Sequence, residues 1–295
     1  MDISSLNAFI TVARYKSFSK ASNHLFITQP AVSKRVAALE AELGVVLFNR
    51  IARTVSLTEA GKQLLSKAHE LVDQAEELQR YASNLNQDIS GNLAVSISHH
   101  IGLYRMPPIL KTFNERHSEV DLDIRFEDSD QAFSSVEKGD IEFAVITLPK
   151  VLPEKISAEV VWVDDLFIVA SKEHDLSKIA KVTLPDLAKH SCVLPSKETE
   201  THQIMQRLFE SNGIDMKLQM QTNSLQTLKM LVQAGIGWSL LPKSMLEDGE
   251  LRVLDVGLNL RRSLGLVFHT KRSLSNAAVA LSTLIKSDGA LSVQV

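Results

Sequence analysis

Two short amphipathic segments joined by a tight turn, residues 17–25 and 28–43, constrain this chain more than any other feature of its 295 residues. In the first, Ser17 or Ser19 is placed to cap a helix through Ala21 and Leu25, because a hydroxyl accepts from a first-turn amide that has no helical partner. In the second, Thr28 stands at the next cap position. Pro30 follows in the first turn, where its missing N–H costs nothing and its fixed φ suits a helix. Ala31, Val32, Val36, Leu39 and Leu43 recur at three- and four-residue spacing and form the stripe expected to be buried. Gln29, Ser33, Lys34 and Arg35 occupy the other face. Such side chains donate to base edges and phosphates, and the N-terminal half of a recognition helix is the part that enters a major groove. In an ordinary helical bundle Lys34 and Arg35 would be solvated charges, so this helix alone leaves both readings open.

The next residues favour DNA. Gly44 is placed to end the helix, and residues 45–57 are β-branched and aromatic enough for two short strands with Ala52-Arg53 near the tip. A hairpin with arginine at its tip is a wing, and arginine suits the negative potential of a narrow minor groove.

Phe9, Val12, Ala13, Ser17-Phe18-Ser19, Ala21, Leu25, Thr28-Gln29-Pro30-Ala31-Val32-Ser33, Leu39-Glu40, Leu43-Gly44, Leu47-Phe48, Arg50 and Leu57-Thr58-Glu59-Ala60-Gly61 form one ordered pattern. Over residues 6–65 it resembles the winged helix-turn-helix of LysR-type transcriptional regulators. The residues expected at DNA are Thr28, Gln29, Pro30, Ser33, Lys34, Arg35, Arg50 and Arg53. Ser33, Gln29 and Lys34 are assigned to base readout, Arg35 to phosphates and Arg53 to the wing.

Charge distribution agrees. Residues 1–60 hold seven Lys/Arg against four Asp/Glu, net +3, while the remaining residues hold 25 against 31, net −6. A small basic module on an acidic body suits nucleic-acid binding through one end. A 44% hydrophobic and 23% charged composition is that of a globular chain. No signal peptide or membrane-length apolar run is seen, which predicts a cytoplasmic protein. Cys192 is the only cysteine, so no intrachain disulfide switch is possible.

From Lys62 to Ser90 there is no glycine or proline. Leu64, Ala68, Leu71, Ala75, Leu78, Ala82, Leu85 and Ile89 follow alternating gaps of four and three, a heptad seam. A helix over residues 58–89, about 45–50 Å long, could cover that stripe by lying on its own domain, but the narrow a/d pattern between two modules favours pairing with a second copy. The dimer would present two reading heads to an imperfect inverted repeat in double-stranded DNA. The resemblance further implies a tetramer that bends DNA, and RNA polymerase as a partner.

Beyond Ser90-Gly91-Asn92, strands and helices alternate. Strands are expected at 93–98, 120–126, 141–146, 160–163, 166–170, 192–194, 218–222, 237–241 and 264–268. Helices are expected at 103–116, 131–138, 201–211, 225–234 and 276–285. This alternation predicts α/β layers with mainly parallel sheets. The family resemblance continues through Met106-Pro107, Leu110, Phe113, Lys138-Gly139-Asp140-Ile141, Leu231-Val232-Gln233-Ala234-Gly235-Ile236-Gly237-Trp238 and Leu241-Pro242. It implies a bilobed, periplasmic-binding-protein-like effector domain of two Rossmann-like subdomains, with crossovers near Val163 and Leu266. The expected organisation is thus a DNA-binding domain over 1–60, a linker helix over 58–89 and an effector domain over 91–295. Lobe I would hold 91–163 and 267–295, and lobe II 164–266.

Ligands of open α/β sheets sit outside the carboxyl ends of strands. That rule nominates Ser98, His99, His100, Ser129, Thr147, Ser196, Thr201, Asn223 and Ser224 as effector-binding residues. Helix N-termini there could take an anion, and small carboxylates are common effectors in the family. Glu198 and Glu200 oppose this. As first-turn carboxylates they stabilise their own helix, but they repel an anion, so either His99 or His100 offsets them or the effector is neutral, cationic or bound elsewhere. The nine histidines are scattered without metal-ligand spacing, which predicts no metal site. With no Gly-rich phosphate loop or serine elbow, the chain reads as a regulator with a small-molecule effector and no cofactor, not an enzyme. The alternative is a cytoplasmic solute-binding protein without a DNA role.

Overall fold

The computed structural model describes residues 1–51, 54–85 and 88–292, and it separates into two compact units, Met1–Asn86 and Gln87–Val295. In the first unit, α1 (Ile3–Tyr15), α2 (Phe18–His24) and α3 (Gln29–Leu43) precede an antiparallel pair, β1 (Phe48–Ile51) and β2 (Thr54–Leu57), and then α4 (Glu59–Asn84). Ser17, not Ser19, caps α2 by accepting from the Lys20 amide at 3.2 Å. Thr28 occupies the cap position of α3, but its hydroxyl caps nothing. Pro30 has no amide to offer, and the Ala31 amide already binds the Thr28 carbonyl.

Val32, Val36 and Leu39 enter a core built on Leu6, Phe9 and Val12 of α1, and Phe9 and Phe18 both meet Phe48 edge-on at 5.5 and 5.7 Å. Leu43, expected in the buried stripe, is exposed. It lies in the last turn before Gly44, whose φ of 69° ends the helix, and Val45 and Leu47 supply the core contacts beyond it. The wing is tied to the helices by polar groups. Glu40 accepts from the Leu47 and Phe48 amides, and the Thr58 hydroxyl donates to the Val46 carbonyl while accepting from the Gly61 amide. A Cβ at position 61 would stand 2.3 Å from the Leu47 carbonyl oxygen, so this contact between α4 and the wing requires glycine.

α4 spans 26 residues, about 39 Å at 1.5 Å per residue. It stops at Asn84, short of the expected residue 89, where Asn84, Asn86 and Asp88 replace helix-favouring side chains. The near end of its predicted seam is covered within the same unit: Ala68 is buried and Leu64 half-buried against the head's core. The far end is bare, with Leu71, Leu78 and Leu85 exposed by 40%, 70% and 67%.

The second unit contains β3 (Gly91–Ser98), α5 (His99–Tyr104), α6 (Met106–Arg116), β4 (Val120–Glu127), α7 (Ser129–Lys138), β5 (Phe143–Thr147) and β6 (Ile156–Ala170). After them come α8 (Leu184–Lys189), β7 (Cys192–Leu194), α9 (Glu200–Ser211), β8 (Leu218–Gln221), α10 (Leu225–Gln233), β9 (Ser239–Pro242), β10 (Arg252–Val253), β11 (Leu260–His269) and α11 (Asn276–Ser292). β3 pairs in parallel with β4 and β5, and β7 with β8. The remaining pairings of the large sheet are antiparallel, because β11 runs back against β5 and β6, and β6 against β9 and β10. The expectation of mainly parallel sheets is corrected accordingly.

β6 is one strand of fifteen residues and not two; Asp164-Asp165 interrupts its apolar pattern without breaking its pairing to Arg261 and Arg262. Conversely, the helix expected over 103–116 is two, α5 and α6. Pro107 and Pro108 lack the amides that would bond back to the carbonyls of residues 103 and 104, so the helix restarts at Met106 with the prolines in its first turn, where no amide is needed.

The cores divide along β6 and β11. Trp162, Leu264 and Leu266 pack with Leu93, Ile97 and Phe113. Leu166 and half-buried Leu260 pack with Phe209 and Trp238, whose rings stack at 5.9 Å. The change of lobe on β11 therefore falls between Leu260 and Leu264, a few residues before the expected crossover at Leu266.

Candidate functional site

On α3 the polar face stands clear of the core. Thr28, Gln29, Pro30 and Lys34 are exposed, and Ser33 and Arg35 are half-exposed. The Gln29 amide donates to the Ser33 hydroxyl at 3.3 Å, which links two of the groups expected to read bases. Among the described residues neither Lys34 nor Arg35 forms an ion pair. Arg50 lies on β1; its side chain and the whole of Arg53 fall outside the described residues.

In the second unit a cavity of about 910 Å³ opens between the two lobes. Ser98, His99, His100, Ser129, Thr147, Thr201, Asn223 and Ser224 all line it. Ser196 does not, and the expectation for it is corrected: its amide donates to Asn223 Oδ1 at 3.0 Å, supporting the wall from behind. Ser224 lines the cavity, but its hydroxyl already caps α10 by accepting from the Thr227 amide. His99 is exposed and its ring stacks on Phe126 at 6.4 Å.

The most constrained group was missed by sequence reasoning. Asp164 of β6 and Arg262 of β11 are register partners, each about 5% exposed at the side chain, with Arg262 Nη2 donating to Asp164 Oδ2 at 3.1 Å. Arg262 Nη1 also donates to the Thr201 hydroxyl at 2.9 Å, from the second lobe. His100 Nε2 binds Asp164 Oδ2 at 3.1 Å, and Arg105 Nη2 binds Oδ1 at 3.4 Å, both from the first lobe. The pair thus ties each lobe to the crossover strands. Doublets of charge, Asp164-Asp165 and Arg261-Arg262, in otherwise apolar strands were the available signal.

Burial pushes Asp164 up, but the His100 hydrogen bond and the Arg262 charge outweigh it and hold the carboxyl at about 2. Burial, reinforced by the nearby Arg262 and Arg105 charges, lowers the His100 pKa against the pull of Asp164. With the ring neutral, Nε2 carries the proton given to Asp164, and Nδ1 is left an acceptor with no hydrogen-bond partner.

A folded protein that keeps His100 neutral disfavours the proton the unfolded chain takes up below the usual histidine value of 6.5. Stability is therefore full above that value and declines as pH falls through it, by at most about 1.4 kcal/mol per pH unit for one group. The thermal midpoint of wild type is expected to drop between about pH 7.5 and about pH 5.5, and His100→Gln to show a smaller drop. An equal drop in both proteins would exclude His100 as the source.

Residues 3–62 match the family model of the bacterial regulatory helix-turn-helix protein, lysR family, and residues 86–290 match the LysR substrate binding domain. The chain belongs to the LysR family of transcriptional regulators. This LysR regulator is 28% identical over 290 residues to the RuBisCO operon transcriptional regulator of Allochromatium vinosum, covering 97% of this chain and 95% of that one. It is 56% identical over 108 residues to an HTH-type transcriptional regulator from the ibpB-leuC intergenic region of Azotobacter vinelandii, covering 37% of this chain and 75% of that one. Among solved structures, full-length CbnR in complex with its target DNA matches with a TM-score of 0.61 at 20% identity, over 98% of this chain and 100% of that one. That likeness is one of fold. A LysR regulator binds DNA through its helix-turn-helix and carries an effector-binding domain, so the alternative of a solute-binding protein without a DNA role is set aside. Among the described residues no helix is long and apolar enough to cross a membrane.

Proposed function

We propose that α3 enters the major groove of an imperfect inverted repeat, with Gln29, Ser33 and Lys34 at base edges and Arg35 at the phosphates. Thr28 and Pro30 lie at the groove end of the helix, and Arg50 and Arg53 serve the wing. Two heads are joined by pairing of the bare α4 stripes, and dimers associate further into a tetramer that bends DNA. A small molecule in the interlobe cavity draws the lobes together and changes the spacing or angle of the heads, which alters engagement of RNA polymerase. No catalytic step and no cofactor is assigned to the chain, and its setting is the cytoplasm.

The observation that carries this reading is the Gln29–Ser33–Lys34 face, exposed at Gln29 and Lys34 and half-exposed at Ser33, on a helix that buries Val32, Val36 and Leu39 on its other side. Lys34→Ala is expected to weaken specific binding by roughly 1–3 kcal/mol and relax selectivity at one base position. Arg35→Ala should weaken binding to all sequences and flatten the log–log salt dependence by about one unit. Gel-shift titrations at several salt concentrations check both. Wild-type behaviour in the two variants would remove α3 from the groove.

A further inference from the structure

The charges around the interlobe cavity do not cancel. Asp128 and Asp130 enter it from the start of α7 in one lobe, and Glu198 and Glu200 from the start of α9 in the other. Glu200 is ion-paired to Arg207 at 2.5 Å, and Asp128 accepts from the Asn223 amide at 2.8 Å. On the basic side, the charge of Arg262 is matched by Asp164, and His100 is held toward its neutral form. Among the described residues no cationic side chain pairs with Asp130 or Glu198. Their mutual repulsion is felt: burial, then the charges of Glu198 and Asp128, raise the Asp130 pKa.

His100 adds an independent demand. It lines the same cavity, its side chain is nine-tenths buried, and Nδ1 lacks a donor. Both features ask for a ligand that brings N–H groups. Tyr104, Phe133, Ile146, Pro149 and Met245 give the wall an apolar part, beside hydroxyls and amides such as Ser129, Thr147 and Asn223. A bare metal ion does not fit, since among the described residues no three His, Cys, Asp or Glu side chains converge to hold one.

We propose that the effector of this regulator is an organic cation, an ammonium group on an apolar body, held between Asp130 of one lobe and Glu198 of the other with the body on Tyr104 and Phe133. The proposal rests on the cavity being the effector site. It differs from the small carboxylate that the helix N-termini lining the cavity would otherwise suit, because side-chain carboxylates stand at the starts of α7 and α9 and would repel it, while the Ser224 hydroxyl caps α10. It also gives closure a cause. In the empty cleft the two carboxylates repel across the gap. An ammonium between them is attracted to both, so the closed state gains affinity that the open state lacks.

Three probes with one body and different heads test this on the full-length protein by calorimetry and thermal shift: phenethylamine, 2-phenylethanol and 3-phenylpropionate. Phenethylamine should raise the thermal midpoint and bind at least about tenfold more tightly than the alcohol, with the carboxylate weakest. Asp130→Asn with Glu198→Gln should weaken amine binding by about tenfold or more, leave the alcohol unchanged and raise the midpoint of the ligand-free protein. A carboxylate that binds as well as the amine would overturn the charge assignment and leave the cleft reading standing. Amine binding indifferent to the double variant would overturn it too. Failure of all three probes to bind would overturn the cleft as the effector site, and this proposal with it.

Discussion

Asp164→Ala is expected to cost about 3–5 kcal/mol of stability. It leaves the Arg262 guanidinium, 6% exposed, buried with only the Thr201 hydroxyl as its remaining partner. It also frees His100 and Arg105, so the first lobe loses its tie to the crossover strands. Removing both charges together should cost far less, because a buried ion pair often contributes little relative to apolar groups of similar volume. Asp164→Leu combined with Arg262→Met is therefore expected to recover most of the loss. Urea unfolding followed by tryptophan fluorescence suits the measurement, since Trp162 and Trp238 are buried in the cores of different lobes. The folded Asp164 pKa of about 2 lies below the ordinary 3.8, so its contribution is complete above the ordinary value and is lost as pH falls through about 2. A loss under about 1 kcal/mol for Asp164→Ala would mean that the pair is not the anchor between the lobes.

Leu71→Lys with Leu78→Lys should turn the proposed dimer into monomers in sedimentation. Both side chains lie on the bare part of α4, so the head's own core is spared. Four charges on two facing helices would replace the apolar contact. Binding of an inverted repeat should fall by about 10²–10⁴, the advantage of holding two heads together, while binding of a single half-site should change little. Intact dimers in the variant would place the association surface elsewhere.

The helix-turn-helix was legible because local chemistry dictates it. The apolar spacing of Val32, Val36 and Leu39, the cap at Ser17, and Gly44 at a positive φ each act within a few residues. Part of the cavity lining was legible for a similar reason, since Ser98, Ser129 and Thr147 sit at strand ends that an open sheet turns toward its ligand. What stayed hidden depends on residues far apart in the chain. Arg262 and Asp164 are 98 positions apart, and only the antiparallel return of β11 along β6 makes them partners. The same return explains why the sheet is mixed, and why Asp164-Asp165 looked like a gap between two strands. Leu43 failed for a smaller reason, because periodicity continues to the end of a helix whether or not a core lies beneath its last turn. Ile89 shows the same limit for the seam, which outruns the helix that carries it.

The most direct measurement is selection of duplexes from a randomised library by the full-length protein at moderate salt, run in parallel for wild type and Lys34→Ala. Wild type should enrich an imperfect inverted repeat whose half-sites lie about one helical turn, or a multiple of it, apart, and the variant should lose preference at one position in each half-site. A wild-type protein that enriches no sequence, or a variant that enriches the same repeat with equal stringency, would contradict the assignment of this helix face to DNA.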